Sequence, residues 1–213
     1  MDNKIGIVIQ ARTGSKRLPN KVLKRINKKQ NILEFLINRL KLSKTINKII
    51  IATTNLKEDD RILKINSTKI KFFRGSQNNV LKRYIDAAEK YSLKHIIRIT
   101  ADCPFTDPNL IDRMTKKYTN SHFNYVSNVN PPSYPNGFDV EIFSLKLAKR
   151  SLKNFKTKKN IEHVTYSIRD KKKSKKLKVK AYNFMYKQNL NNNRLTLDTL
   201  EDLKIIKKVE KKI

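Results

Sequence analysis

The chain has 213 residues, 38% of them hydrophobic, with 49 Lys and Arg against 18 Asp and Glu and a formal charge of +31. That length can close one sizeable core, and the gathering of apolar residues into short runs and spaced faces excludes a disordered chain. No run approaches the roughly 18–20 apolar residues of a membrane span, and Cys103 alone allows neither an internal disulfide nor a cysteine-cluster zinc site. A single cytoplasmic domain over 1–213, with no leader ahead of its first strand, is the expectation.

A first apolar strand is predicted over residues 4–10, ending in a loop that carries Arg12, Gly14, Ser15, Lys16, Arg17 and Lys21. A helix over 32–43 follows, with Leu33, Leu36, Ile37 and Leu40 at helical spacing. Next come a strand over 48–53, a helix over 57–65, a short strand over 70–73, a helix over 78–91, a strand over 95–100 and a helix over 108–118. Short apolar runs separated by helices indicate an α/β fold whose mostly parallel sheet is covered by helices on both faces. Beyond Tyr125 the rhythm breaks: 128–136 holds three prolines and reads as a loop. A strand over 138–143, helices over 145–152 and 159–170, strands over 177–181 and 194–197, and a helix over 199–211 complete the chain. In open parallel sheets ligands bind beyond the carboxyl ends of the strands, which directs attention to the loops after the first, fourth and last strands.

The charge by itself points to nucleic acid. Its distribution argues otherwise, because 37 lysines spread over helix faces while several of only 12 arginines (Arg12, Arg74, Arg98 and Arg194) stand at strand ends. An arginine fork suits phosphate or carboxylate, whereas lysine is a solvated point charge. The dense run from Arg169 to Lys180 lacks interleaved aromatics until Tyr182 and reads as a solvated helix end and loop.

Five segments carry chemistry. The first loop, with four cations, a hydroxyl and a flexible glycine, suits a polyphosphate. It is neither the NTPase phosphate loop nor the dinucleotide glycine fingerprint. In Arg98-Ile-Thr-Ala-Asp-Cys-Pro104, Asp102 ends a strong strand and is placed to hold Mg²⁺ on phosphate oxygens. Asp107-Pro108 reads there as a helix cap and first helical residue, and Cys103 as a small filler. In Arg194-Leu-Thr-Leu-Asp198, Thr199 and Asp202 form a capping box that leaves Asp198 free to join Asp102 in a metal clamp. Arg74-Gly75-Ser76 offers close backbone approach, with Ser76 read either as a cap or as a contact to base or ribose. Asp139 and Glu141 alternate on a strand, where they would face a polyhydroxylated acceptor or pair with surplus lysines. His163 follows on a helix.

In this order and register, these motifs make the chain closely resemble the sugar cytidylyltransferases, most closely the SpsF-like spore-coat polysaccharide branch related to the acylneuraminate and 3-deoxy-manno-octulosonate enzymes. The resemblance covers nearly the whole chain. It implies a Rossmann-like nucleotidyltransferase fold and attack of a sugar hydroxyl, expected on an acidic nonulosonate-type sugar, on the α-phosphorus of CTP with release of pyrophosphate. By match to the motifs, Arg12, Ser15 and Lys21 would hold the triphosphate with Arg17 in support, and Arg12, Lys21 and Asp102 would be the catalytic group. Asp102 and Asp198 would bind Mg²⁺, with Mn²⁺ as the alternative ion. Arg74 and Ser76 would lie near the nucleoside, and Asp139, Glu141 and His163 near the acceptor. Related enzymes are often dimers, which implies a homodimer. The alternatives are another NTP acting on a sugar phosphate, or a basic nucleic-acid-binding protein.

Three departures stand out. The glycine usual between Pro19 and Lys21 is Asn20, the next most tolerant residue of positive φ, so the turn is expected to survive. The acidic residues usual after Arg-Gly-Ser are Gln77, Asn78 and Asn79, and the proline usual after Thr199 is Leu200.

Overall fold

The computed structural model describes residues 4–65, 67–68 and 70–212. Seven strands form one sheet in the order β3-β2-β1-β4-β6-β5-β7. Its centre is β1 (Ile5–Gln10), β2 (Ile49–Thr54), β3 (Ile70–Gly75) and β4 (His95–Thr100), all mutually parallel. β6 (Glu141–Ser144) runs antiparallel between β4 and β5 (Tyr125–Ser127), and β7 (Ala181–Asn183) pairs parallel to β5 at the edge. Six strands therefore point the same way, and their carboxyl ends share one rim.

The strands read as nearly unbroken apolar runs because both faces are buried. On one face Ile7, Ile9, Ile51, Ile97 and Ile99 pack against α1 (Ile32–Leu40) and α4 (Pro108–Thr119) through Leu33, Leu36, Ile37, Leu110, Ile111 and Met114. On the other, Val8, Ile50, Ile96 and Phe143 meet α3 (Val80–Lys90) and α5 (Leu145–Asn154) through Leu81, Tyr84, Ala87, Ala88, Leu147 and Ala148. Between them in sequence, α2 (Asp60–Leu63) buries Ile62. The α/β architecture with helices on both faces is as expected. No helix among the described residues is long and apolar enough to cross a membrane.

Two helix starts and one turn also follow the sequence reading. Asp107 caps α4 ahead of Pro108, and Thr199 and Asp202 form a capping box at α9 (Leu200–Glu210), which leaves Asp198 outside the cap. Asn20 adopts φ 56° and ψ 24°, so asparagine does keep the left-handed turn.

The second half departs from expectation in five places. β5, only three residues long, was too short to show a period. β6 begins at Glu141 rather than 138, because Asn128 substitutes for a strand partner there: its amide donates to the Phe138 carbonyl and accepts from Val140 N–H. The helix expected over 159–170 is interrupted at 163–165, giving α6 (Lys158–Glu162) and α7 (Tyr166–Arg169). The strand expected over 177–181 starts only at Ala181; Leu177 is fully buried at the end of α8 (Lys171–Lys176), which Asp170 caps.

The strand expected over 194–197 is no part of the sheet. One bridge joins Arg194 to Asn136, and the extended segment rests on other loops instead: Leu195 N–H donates to Asn136, and Leu197 N–H to the Asp102 carbonyl at 2.8 Å. Leu197 is fully buried with Leu18, Ile26, Ile32, Phe105 and Ile206. This third cluster ties the first loop, the β4–α4 turn and α9 together beneath the carboxyl rim.

Candidate active site

β1 delivers the first loop to that rim, and a buried aspartate sets its shape. Thr13 donates to Asp59 Oδ1 through its N–H at 2.6 Å and its hydroxyl at 2.7 Å, and the Thr54 hydroxyl bonds the other oxygen. The Thr13 carbonyl accepts from Ser15 N–H at 2.8 Å and Asn20 N–H at 2.9 Å. The chain is thus folded back, and the left-handed turn at Asn20 directs Lys21 inward. Asp59 is 1% exposed and was missed by sequence reading, since nothing in the run Glu58-Asp59-Asp60 distinguishes the one carboxylate that turns inward.

Lys21 meets both predicted carboxylates. Its ammonium lies 2.7 Å from Asp102 Oδ2 and 2.9 Å from Asp198 Oδ1. Arg17 pairs with the same Asp198 oxygen at 3.0 Å, and Arg194 with the other at 2.8 Å. Burial works to lower the Lys21 pKa, but the charge and hydrogen bonds of the two carboxylates outweigh it and hold it above the ordinary lysine value. Burial likewise works to raise the Asp198 carboxyl, and the hydrogen bonds and charges of Lys21, Arg194 and Arg17 keep it below the usual range.

Around this group lies a cleft of about 1000 Å³. The first loop contributes Arg12, Ser15, Lys16, Arg17 and Lys21 to its wall, and β4 with its turn contributes Arg98, Thr100 and Asp102. Asp198 closes one end, while Gln77, Asn78 and Arg83 from the start of α3 and Lys158, Glu162 and His163 from α6 face each other across it. Seven Lys and Arg residues line the cleft against three carboxylates, so it favours an anionic ligand. Sequence reading missed the α3 and α6 walls; of their residues only His163, exposed here, was expected at a ligand.

The remaining candidates sit elsewhere. Arg74 does not line the cleft: Nε and Nη2 donate to the carbonyls of Thr54 and Leu56, each at 3.2 Å, and Nη1 pairs with Asp60 at 2.7 Å. It secures the β2–α2 connection, which corrects its expected place at a nucleoside. Ser76 accepts from Asn79 N–H at 3.0 Å, so its hydroxyl shapes the turn, while Asn79 is the residue that caps α3.

Glu141 is 1% exposed and saturated. It accepts from Arg98 Nη1 at 2.6 Å and from the Tyr125 hydroxyl at 2.5 Å, with Arg169 3.8 Å away. Burial works to raise its carboxyl, but Arg98 and Arg169 outweigh this and lower it. The expected direct contact between Glu141 and an acceptor is therefore corrected: the residue holds Arg98 in the floor of the cleft. Asp139 is half-buried outside the cleft lining, its pKa raised by burial and by Glu141. Cys103 is a buried filler, as expected, and burial pushes its thiol well up.

Comparison with known proteins shows the family. A family model described as cytidylyltransferase matches residues 6–213. The Bacillus subtilis spore coat polysaccharide biosynthesis protein SpsF is 38% identical over 136 residues, which are 61% of this chain and 56% of that protein. A cytidylyltransferase structure from Leptospira borgpetersenii superposes with a TM-score of 0.92 at 31% identity, over 99% of this chain and 87% of that one. The structure of CMP:2-keto-3-deoxy-manno-octonic acid synthetase complexed with CTP shares the fold, with a TM-score of 0.74 at 13% identity over 98% and 99% of the two chains. With a family model that spans residues 6–213, this chain belongs to the cytidylyltransferase family of nucleotidyltransferase enzymes.

Proposed function

We propose that this enzyme transfers CMP from CTP to a sugar hydroxyl, on an acidic nonulosonate-type sugar destined for cell-surface polysaccharide. The hydroxyl oxygen bonds to the α-phosphorus as the bond to the β-phosphate oxygen breaks, and pyrophosphate leaves. The observation that carries this reading is the meeting of the first-loop cations with Asp102 and Asp198 at one end of the cleft.

Arg12, Ser15 and Lys21 hold the triphosphate with Arg17 in support, and the charge building on the departing pyrophosphate falls where these fixed cations already stand. Asp102 and Asp198 fit a divalent ion. Both reach a single cation, the Lys21 ammonium, within 2.9 Å, and Mg²⁺ is held by one or two carboxylates with phosphate oxygens and water completing its shell. Bound there, Mg²⁺ or Mn²⁺ would supply charge neutralisation on the phosphates. Lys158, Glu162 and His163 then line the wall open to the acceptor, and the excess of cations suits a sugar bearing a carboxylate.

The test is pyrophosphate release with each NTP, Mg²⁺ and a panel of neutral and acidic sugars. Turnover with CTP and an acidic sugar is expected. Turnover only with another NTP, or only with sugar phosphates, refutes the assignment.

A further inference from the structure

The cleft contains one buried and one partly buried guanidinium group, Arg83 and Arg98, and they differ in their partners. Arg98 has a carboxylate, Glu141, at 2.6 Å. Arg83 has no ion pair among the described residues, although its 2% exposure makes it the more deeply buried of the two. One of its donors, Nη1, is spent on the Ser76 carbonyl at 2.7 Å, and Nε is closed off from solvent with no acceptor.

The chain makes room for this arrangement. A Cβ on Gly75 would lie 3.0 Å from Arg83 Cγ and 2.8 Å from a Phe73 ring carbon, so the aliphatic stem passes where only glycine leaves space. Burial lowers the Arg83 pKa and the like charge of Arg12 adds to this, while the Asp59 carboxylate, which makes no ion pair with it, works only partly the other way. A buried, unpaired cation is costly unless something neutralises it. Arg83 lines the same cleft as Arg12 and borders Gln77 and Asn78 there.

We propose that Arg83 is a phosphate-binding residue, which with Arg12 clamps the polyphosphate of the nucleotide from the α3 side of the cleft. Guanidinium is suited to this, since it stays charged when desolvated and gives charge-assisted bonds to phosphate oxygens. The anion that pairs Arg83 arrives with the substrate, and Ser76 holds the guanidinium ready for it. The identity of the nucleotide rests on the function proposed above; the phosphate contact does not.

The experiment is calorimetric binding of CTP, cytidine and inorganic tripolyphosphate to the wild-type protein, R83M and R83K, with melting curves to verify folding. R83M is expected to lose at least about tenfold in affinity for CTP and tripolyphosphate and less than about twofold for cytidine. If R83M does not fold, R83K decides, with an expected loss of about threefold or more for tripolyphosphate and none for cytidine. Unchanged tripolyphosphate affinity in a folded variant overturns the proposal and leaves Arg83 a purely structural residue. Equal losses for CTP and cytidine also overturn it, since the contact would then be to the nucleoside. Wild-type protein that binds tripolyphosphate but not CTP refutes the cytidylyl reading while leaving Arg83 judged by tripolyphosphate alone; binding of neither refutes both.

Discussion

The Leu197 backbone N–H donates to the Asp102 carbonyl at 2.8 Å, and this bond sets the two carboxylates of the cleft beside each other. Leu197 is fully buried, so the segment cannot drift, and Asp198 follows directly with its carboxylate against Lys21. The site is assembled from segments far apart in the chain by a backbone contact and an apolar anchor.

Substituting either carboxylate tests that assembly. Asp102→Asn and Asp198→Asn should each lower pyrophosphate release by about 100-fold or more. Both proteins should remain folded, since each leaves Lys21 one of its two partners. Wild-type turnover in either variant would refute the metal clamp.

Gly137 tests the anchoring from the other side. It has φ +111°, and an added Cβ would lie 2.7 Å from the Leu195 carbonyl carbon. Backbone cannot yield as a flexible side chain does, so Gly137→Ala should displace the segment leading to Asp198. A loss of more than about 1 kcal/mol in stability, together with reduced turnover, is expected from denaturant titration and pyrophosphate assays. Loss of stability with full turnover would show that Asp198 does not depend on this docking.

The Arg98–Glu141–Tyr125 group makes a prediction about stability rather than binding. Glu141→Ala leaves Arg98 as an uncompensated buried cation and should cost about 3–5 kcal/mol, measured by chemical denaturation. A variant of near-normal stability whose KM for the acceptor alone has risen would restore the role expected from sequence.

Acid stability should depend on Asp202. Burial works against its carboxylate, but Arg194 at 3.0 Å and the N–H groups of Asp198 and Thr199 outweigh it and bring the pKa down to about 2. A carboxyl depressed in the folded state from roughly 3.9 when unfolded adds stability that is complete above that value and lost as pH falls through the folded pKa. The wild-type denaturation midpoint should therefore drop between about pH 4 and pH 2, and Asp202→Asn should flatten that drop. Identical profiles would rule out this linkage.

Much of this was legible in the sequence because it rests on local rules. β1 to β4 announced themselves as short apolar runs, and Asp107-Pro108 and Thr199 with Asp202 as caps. The first loop, Asp102 and Asp198 were recognisable as residue types at strand ends or in motifs, and Asn20 takes the left-handed turn its side chain tolerates. Arg74 and Glu141 misled for a shared reason. A charged side chain in a motif looks the same whether it meets a ligand or, as here, backbone carbonyls and a buried counter-ion.

By itself, then, the sequence determined the layered α/β architecture, the cationic loop and the aspartates available to it, since periodicity, capping and motif spacing act over a few residues. Only the tertiary structure decided which charges are spent and which are open. It spends Glu141 on Arg98 and Asp59 on Thr13, and leaves Arg83 unpaired in the wall of the cleft. Pairing depends on distance and burial between segments far apart in the chain, and no local pattern encodes either.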